Sequence, residues 1–429
     1  MDVKIQPRSL SGNVKAIPSK SQAHRALICA SLAADNLSFI ECSGDSNDIE
    51  ATASCLRALG AEIRRENQND QSSEGYFVRP LEKNQNDISV SLPCVESGST
   101  FRFLLPIVCA LGKKTNFLLE GRLPERPISP LYEELSKKGC KLSPKGLNPF
   151  CTEGKLSPGI FELDAGVSSQ FISGLLFALP LLEADSKIHL KGRVESFPYI
   201  EMTLAMLEIF KIKIEFKENI FYIKGNQKYI SPEKLRIEGD WSNAAFWLAA
   251  AALGENAVTC EGLDLQSKQG DKAVINILEK FGANIKKHGS SVTVSGGKLR
   301  GAEIDARDIP DLVPVLAVAA CAAQEQTVIR NAGRLRIKES DRLEAVSSVL
   351  RALGADIRVT DDGLIINGGS SLTGGEVSSW GDHRMAMSAA VASILCSQQV
   401  VIKDAQAVNK SYPGFFDDFR LLGGSITII

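Results

Sequence analysis

Small and polar residues stand at the starts of six apolar segments in this sequence. A helix start exposes free N–H groups and a partial positive charge, so serines and glycines there suit a phosphate or carboxylate group. The same residues can simply cap helices, which for Ser242 or Asn243 alone is the simpler interpretation. The residues at the six starts are Lys20, Ser21 and Arg25; Gly98, Ser99 and Arg102; Ser168, Ser169 and Gln170; Asp240, Ser242 and Asn243; Asp311; and Asp382, His383 and Arg384.

Seven cations lie in turn-like segments or near these starts, away from any evident polar helix face. Each could by itself be an ordinary solvated charge. Capping does not explain them, however, and as a set they suit substrates that carry several phosphate or carboxylate groups. They are Lys20, Arg25, Arg122, Lys338, Arg342, Arg384 and Lys410.

An internal repeat predicts the elements that position these residues. An amphipathic helix, a pivot residue and an alternating strand recur six times, as in LRALGADIRVT, with pivots 69 to 79 residues apart. Five pivots are glycine, which enters the left-handed conformation past a helix end without strain. The pivots are Gly60, Gly139, Lys211, Gly282, Gly354 and Gly423.

Each repeat also holds a second helix, apolar nearly all round and therefore expected to be buried, followed by a short strand. These helices are expected to start near Ser21, Ser99, Ser169, Ser242, Asp311 and His383. Six such units favour two globules of three repeats over an open solenoid, whose repeats are shorter. We predict that copies one to three form one domain and copies four to six the other.

Composition and motif searches exclude several classes of protein. The chain has 429 residues, 49 basic against 51 acidic side chains and a net charge of −2, so no global attraction to nucleic acid or membrane is expected. Ten scattered cysteines without a C-x-x-C pair indicate buried thiols, not a metal site or a disulfide framework. We expect no signal peptide and no membrane span. G-x-G-x-x-G, P-loop, G-x-S-x-G and H-E-x-x-H motifs are absent.

Along its whole length the sequence resembles the EPSP synthase (3-phosphoshikimate 1-carboxyvinyltransferase) family of enolpyruvyl transferases. The resemblance rests on nine motifs in order: SKSQAHRA, GSTFR, GRLPERPI, VSSQF, SFPYIEMT, IPDLVPVLA, RIKESDRL, DHRMAMS and KSYPGFF. It implies an α/β fold with two inside-out α/β barrels, each of three βαβαββ repeats. The domains would be 20–237, and 1–19 plus 238–429, joined by a two-strand hinge.

The resemblance further implies transfer of the enolpyruvyl group of phosphoenolpyruvate to the 5-hydroxyl of shikimate 3-phosphate, in aromatic amino-acid biosynthesis. It implies small-molecule partners only and no metal or organic cofactor. We also expect a monomer and, from the scattered thiols, a cytoplasmic location. Shikimate 3-phosphate would be held by Lys20, Ser21, Arg25, Ser168, Ser169, Gln170, Ser196, Tyr199, Asp311 and Lys338. Phosphoenolpyruvate would be held by Lys20, Gly98, Arg122, Glu339, Arg342, His383, Arg384 and Lys410.

The same resemblance assigns the proton transfers. Asp311 would be the base for the 5-hydroxyl, although a carboxylate at a helix start can be only a cap. Lys20 and Glu339 would form the proton-transfer pair for the methylene carbon. His383 would be a ligand contact or a second proton carrier, with a structural histidine as the alternative.

Two residues depart from the family pattern. Glu96 stands where an asparagine is usual in the phosphoenolpyruvate loop, and an acid beside an anion site is unexpected. Arg334 stands where an asparagine contacting shikimate 3-phosphate is common, so no equivalent role is predicted for it. Gly98 is kept, which implies inhibition by glyphosate.

Two alternatives remain at this point. UDP-N-acetylglucosamine 1-carboxyvinyltransferase shares the fold and the donor, but it uses a loop cysteine where this chain has GRLPERP. A non-catalytic six-repeat scaffold would leave the polar helix starts unexplained.

Overall fold

The computed structural model describes residues 1–34, 36–44, 46–67, 74–82, 89–369 and 371–429. The chain divides into two compact units, and here we call Met1–Ile17 with Glu238–Ile429 unit 1 and Pro18–Ile237 unit 2. Pro18 and Ser19 thus lie in unit 2, since the Ser19 carbonyl accepts a hydrogen bond from the Ala23 N–H in the first turn of a unit 2 helix.

Twelve α-helices occur in the described residues, and six of them are almost wholly buried. The helices are α1 Lys20–Ser31, α2 Asn47–Ala58, α3 Gly98–Ala110, α4 Leu131–Lys137, α5 Ser169–Ala178, α6 Phe197–Ile209, α7 Trp241–Leu253, α8 Val274–Phe281, α9 Val313–Cys321, α10 Arg342–Ala352, α11 His383–Ala392 and α12 Phe415–Leu421. The buried set is α1, α3 and α5 in unit 2 and α7, α9 and α11 in unit 1. Their starts lie within two residues of the predicted positions. None of the described helices is long and apolar enough to span a bilayer.

Twenty-four short strands complete the described secondary structure. They are β1 Val3–Gln6, β2 Gly12–Lys15, β3 Ser38–Glu41, β4 Glu62–Asn67, β5 Glu74–Arg79, β6 Val90–Val95, β7 Thr115–Leu119, β8 Lys141–Leu142, β9 Phe150–Glu153, β10 Ile160–Asp164, β11 Ser186–Lys191, β12 Ile214–Lys217, β13 Ile220–Ile223, β14 Lys234–Arg236, β15 Val258–Glu261, β16 Asn284–His288, β17 Ser291–Ser295, β18 Glu303–Asp305, β19 Gln326–Arg330, β20 Asp356–Thr360, β21 Gly363–Asn367, β22 Gly375–Ser378, β23 Val400–Lys403 and β24 Ser425–Ile428.

The strands form six four-stranded sheets with one common plan. Unit 2 contains the orders β14-β3-β5-β4, β6-β7-β9-β8 and β10-β11-β13-β12, and unit 1 contains β2-β15-β17-β16, β18-β19-β21-β20 and β22-β23-β1-β24. In each sheet the first two strands are parallel and the other neighbours are antiparallel. Four of the parallel pairs are joined directly by a buried helix, as parallel strands require a crossover. The predicted six-fold βαβαββ repeat is confirmed.

The N-terminal strands complete sheets of unit 1. Strand β2 pairs in parallel with β15, and β1 lies between β23 and β24, antiparallel to both. In unit 2, β14 fills the corresponding first place in its sheet by pairing with β3. Each unit therefore contains a sheet that pairs a strand near the start of its sequence with a strand near the end, β1 with β24 in unit 1 and β3 with β14 in unit 2.

All six predicted pivots have the left-handed backbone. The five glycines have φ between 90° and 108°, and Lys211, the only pivot with a Cβ, has φ 64°. The amphipathic face predicted for α10 is also buried, because Leu343, Val346 and Leu350 are at most 1% exposed. Nine of the ten cysteines are buried and Cys151 is half-buried, as their apolar surroundings predict.

Candidate active site

The first turn of α1 brings Lys20 to the neighbouring helix of unit 2. Lys20 Nζ lies 2.8 Å from Asp48 Oδ2, in the first turn of α2, and both side chains are less than one fifth exposed. This carboxylate fixes the position of the ammonium group. Ser21 follows in the same turn, and its carbonyl oxygen accepts a hydrogen bond from Arg25 Nη1 at 2.6 Å.

Arg25 is buried among neutral oxygens. Besides the Ser21 carbonyl, its Nε donates to Thr203 Oγ1 at 2.9 Å and its Nη2 donates to the Tyr199 carbonyl at 2.9 Å. The guanidinium also lies 5.0 Å from the centre of the Phe103 ring. Burial lowers the pKa of Arg25 to about 10, and none of the described acids forms an ion pair with it. An anionic ligand would supply that counter-charge.

The start of α5 joins the start of α3 through Gln170. Ser168 caps α5, because its Oγ accepts from the Gln170 N–H at 3.3 Å. Gln170 Nε2 donates to Ser99 Oγ at 2.9 Å, and its Oε1 accepts from Arg102 Nη1 at 2.7 Å. Because a hydroxyl that accepts one hydrogen bond can still donate its own proton, Ser168 can cap the helix and also contact a ligand. Ser169, the first residue of α5, is 7% exposed.

Gly98 begins α3 between two guanidinium groups. A Cβ added at Gly98 would lie 2.9 Å from Arg126 Nη1 and 3.1 Å from Arg102 Nη1. Ser97 caps the helix, with its Oγ accepting from the Thr100 N–H at 3.4 Å. The unexpected Glu96 packs on Gly121, where its carboxylate occupies the space that a Cβ on Gly121 would need.

The other predicted residues of unit 2 lie in turns or at a helix start. Arg122 is exposed and precedes the 3-10 turn Leu123–Glu125. Ser196 is buried, has φ 54° and precedes α6, whose third residue is Tyr199. The Tyr199 carbonyl binds Arg25, so this helix start is tied to α1.

In unit 1, Arg342 joins three carboxylates. Its Nε lies 2.7 Å from Asp382 Oδ2, its Nη1 2.9 Å from Asp311 Oδ1 and its Nη2 2.8 Å from Glu339 Oε2. The side chain is 2% exposed. Burial would lower the pKa of Arg342, but the three acids, Asp382 first, raise it well above its usual value. Arg342 therefore stays fully charged.

Asp311 is held by two arginines. Its Oδ2 lies 3.0 Å from Arg384 Nη2, and its carbonyl oxygen accepts from Arg384 Nη1 at 3.0 Å. Burial would raise the pKa of Asp311, but Arg384, Lys338 and Arg342 lower it well below its usual range. The group is therefore a carboxylate at any physiological pH, as a base must be.

Lys338 and Lys410 add positive charge to unit 1. Burial lowers the pKa of Lys338 to about 8, while Asp311 and Glu339 partly oppose that effect. Lys410 is 7% exposed and ends the 3-10 turn Ala405–Lys410, which packs on α11. His383, the first residue of α11, is buried with its Nδ1 3.7 Å from Asp382 Oδ1.

Three acids have partners that the sequence does not predict. Asp382 is among the predicted helix-start residues and caps α11 by accepting from the Arg384 N–H at 2.9 Å, but only the structure shows that it also binds Arg342. Asp48 carries no sequence signal, since it lies 28 residues from Lys20. Asp271 lies buried in the turn Gly270–Ala273 and accepts a hydrogen bond from Ser242 Oγ.

Asp271 makes stability depend on pH. Burial, followed by the nearby Asp311 charge, raises the pKa of Asp271 to about 7. Between about pH 4 and 7 the unfolded chain has lost this proton while the folded chain keeps it, so folding becomes less favourable as pH rises. We expect Asp271→Asn to reduce this loss by about 2 kcal/mol between pH 5 and 7, measured by urea unfolding. Asp264→Asn, at an exposed position, should leave the loss unchanged; equal pH slopes for both variants would contradict the assignment.

No group of three or more potential metal ligands occurs among the residues that the structure describes. The site consists instead of helix starts and buried cations, with acids that hold some of those cations in place. Such an arrangement can bind phosphate and carboxylate groups and can move protons between carboxylate, ammonium and imidazole groups. Fold and site together define an enzyme that acts on small, highly anionic substrates.

Comparison with known proteins agrees with this definition. The sequence model of the family described as EPSP synthase (3-phosphoshikimate 1-carboxyvinyltransferase) matches residues 5–419, and the chain belongs to this family. The chain is 44% identical to the 3-phosphoshikimate 1-carboxyvinyltransferase of Clostridium kluyveri, over 99% of the chain and 98% of that protein. It is 46% identical to that of Clostridium perfringens strain SM101, over 98% of both.

The fold also matches a solved structure. The EPSP synthase of Acinetobacter baumannii superimposes with a TM-score of 0.81 over 100% of both chains, at 24% sequence identity. The expected two-domain inside-out α/β barrel fold is confirmed. The predicted enzyme class, 3-phosphoshikimate 1-carboxyvinyltransferase, is confirmed by the family and by its named members.

Proposed function

We propose that the chain transfers the enolpyruvyl group of phosphoenolpyruvate to the 5-hydroxyl of shikimate 3-phosphate, giving 5-enolpyruvylshikimate 3-phosphate and phosphate. Family membership supports the reaction, which belongs to the shikimate pathway. The observation that best supports an anionic substrate is the surroundings of Arg25. Its three hydrogen bonds to described residues go to neutral oxygens although the residue is only 2% exposed, and a guanidinium has five N–H groups to donate.

In this proposal, the predicted site residues hold the two substrates. Shikimate 3-phosphate is bound by Lys20, Ser21, Arg25, Ser168, Ser169, Gln170, Ser196, Tyr199, Asp311 and Lys338. Phosphoenolpyruvate is bound by Lys20, Gly98, Arg122, Arg342, Arg384 and Lys410, with Glu339 and His383 close to its reacting carbon. The support is that most of these side chains are buried or half-buried at helix starts and held there by specific partners.

The proposed chemistry requires a base, an acid and an anion site. Asp311 takes the proton of the 5-hydroxyl, and its carboxylate is held in position by Arg342 and Arg384. Lys20 and Glu339 deliver and remove the proton at the methylene carbon, and His383 is a second carrier. Arg342, Arg384 and Lys410 stabilise the departing phosphate. All these groups are side chains, so the proposal involves no metal or organic cofactor.

We further propose that the enzyme works as a cytoplasmic monomer on these two small molecules, without nucleic acid or membrane partners. The support is its nearly neutral net charge of −2, which favours neither a polyanion nor an anionic bilayer.

The donor site is tested by Gly98→Ala. Because the added methyl group would lie about 3 Å from the guanidinium ends of Arg126 and Arg102, these side chains must shift. We expect the KM for phosphoenolpyruvate to rise about threefold and the inhibition constant of the longer molecule glyphosate to rise about tenfold or more. Both are measured by phosphate release.

Gly414→Ala is the matched control, because a Cβ at Gly414 meets no atom within 4 Å. It should change neither constant. If Gly98→Ala also left both constants unchanged, Gly98 would not contact the donor; an equal rise of both would refute the steric explanation for glyphosate.

A further inference from the structure

A chain of hydrogen bonds crosses the buried interior of unit 2 from α1 to the start of α3. His24 Nδ1 lies 2.6 Å from Thr52 Oγ1, Thr52 Oγ1 lies 2.6 Å from Thr100 Oγ1, and Thr100 Oγ1 lies 2.7 Å from Ser97 Oγ. All four residues are at most 1% exposed. None of them belongs to the substrate contacts proposed above.

The chain has one favourable direction. Thr100 Oγ1 donates to Ser97 Oγ, the group that caps α3. With its only proton used, Thr100 Oγ1 must accept from Thr52, and Thr52 Oγ1 must then accept from His24 Nδ1–H. The opposite direction would put the proton of a neutral imidazole on Nε2, which has no partner among the described residues. A buried donor without an acceptor is the costlier arrangement.

The imidazole is neutral in this setting. Burial lowers the pKa of His24 to about 3, and the Lys20 and Arg25 charges act in the same direction while Asp48 opposes them. Its single N–H is therefore committed to Thr52, and the four side chains form a fixed series with one proton in each link.

The chain runs one helical turn behind the Lys20–Asp48 ion pair. His24 follows Lys20 by four residues on α1, and Thr52 follows Asp48 by four residues on α2, so the two contacts are stacked on the same helix faces. At its other end the chain stops at Ser97, directly before Gly98. It thus connects the α1–α2 pair with the segment that carries Gly98.

We propose that the hydrogen-bond chain His24–Thr52–Thr100–Ser97 fixes the backbone at Gly98 for the enolpyruvyl donor, which makes His24, Thr52 and Thr100 positioning residues of the donor site. The proposal rests on the assignment of Gly98 to phosphoenolpyruvate. Gly98 leaves only about 3 Å between its Cβ position and two guanidinium groups, so a small backbone shift changes the space available to the donor. Without the hydrogen bond from Thr100 Oγ1, Ser97 Oγ loses this side-chain partner, while the groups that contact the donor are unchanged.

The test is Thr100→Val, which keeps the shape of the side chain but removes the link to Ser97. We expect the KM for phosphoenolpyruvate to rise about 5- to 20-fold, while kcat and the KM for shikimate 3-phosphate stay within about twofold. Thr100→Ser keeps the hydroxyl and should restore the KM to within about twofold of the unchanged protein. All constants come from steady-state phosphate release.

A matched control separates positioning from mere stability. Thr115 and Thr152 form another buried hydroxyl pair in unit 2, at 2.8 Å, between β7 and β9 and away from the start of α3. Thr115→Val should lower the melting temperature about as much as Thr100→Val and leave the KM for phosphoenolpyruvate unchanged. Should Thr100→Val fail to unfold cooperatively, Thr52→Val breaks the chain one link further away and should raise the same KM about 2- to 5-fold.

The outcomes distinguish two failures. An altered KM in Gly98→Ala with an unaltered KM in Thr100→Val and Thr52→Val overturns the positioning role and leaves the donor site intact. Unaltered donor constants in Gly98→Ala remove the donor site itself and the proposal with it. An equal rise of the KM for phosphoenolpyruvate in Thr100→Val and Thr115→Val, or no recovery of that KM in Thr100→Ser, also overturns the proposal.

Discussion

Replacing Arg342 by methionine is expected to lower the free energy of unfolding by about 3 to 5 kcal/mol, the usual cost of removing one partner of a buried ion cluster. The guanidinium is 2% exposed and lies within 2.9 Å of oxygens of Asp311, Glu339 and Asp382. Without it, three carboxylates would face one another with one cation fewer. Urea unfolding measures the loss, and phosphate release should fall below detection because the departing phosphate also loses a cation.

Arg336→Met is the matched control for this prediction. Arg336 Nη1 lies 3.0 Å from Asp341 Oδ2, but its side chain is 32% exposed. Water screens such a pair, so the expected loss is about 1 kcal/mol or less. Similar losses for the two variants would show that the buried cluster contributes no more to stability than a surface ion pair.

Replacing Asp311 by asparagine is expected to lower kcat by about 10² to 10⁴-fold, the range that a positioned general base contributes. The amide keeps the shape of the carboxylate but cannot take the proton of the 5-hydroxyl. Binding of shikimate 3-phosphate, followed by calorimetry, should stay within about tenfold because its other contacts remain. Since Arg384, Lys338 and Arg342 hold the pKa of Asp311 well below its usual range, the group should not produce the acidic limb of the pH–rate profile.

Asp308→Asn, at an exposed position three residues earlier, serves as the control and should leave kcat within about twofold. The Asp311→Asn variant must also be shown to fold, because the new amide N–H groups would face a guanidinium, of Arg342 or Arg384, that the carboxylate binds in the unchanged protein. A folded Asp311→Asn variant with near-normal kcat would exclude Asp311 as the base.

The repeat and its helix starts could be predicted because they depend on local patterns. Apolar periodicity and the glycine after each amphipathic helix specify the elements, and even Lys211 adopts the pivot conformation because its position in the repeat requires it. The places of β1 and β2 depend on pairing with strands about 250 to 420 residues away, for which a short strand sequence carries no signal. Only the six-fold count and the resemblance suggested where they belong.

The cations of the site could also be predicted, but their partners could not. A lysine or arginine at a helix start is visible in the sequence, whereas Asp48 and Asp382 act on cations 28 and 40 residues away. Glu96 shows the opposite case. The sequence predicts an unwelcome acid beside an anion site, while the structure places its carboxylate against Gly121, where the missing side chain leaves room for it.

The pairing of the N-terminal strands with strands late in the sequence affects the order in which the protein can fold during synthesis. Unit 2 is a continuous segment, so all of its strands are available once β14 has left the ribosome. Unit 1 is different, because β2 must wait for β15, and β1 must wait for β23 and β24. At about 5 to 20 residues per second, these two strands stay without their partners for tens of seconds while unit 2 folds after them. Strands made before unit 2 thus pair only with strands made after it, and the sheet of β1 is completed last.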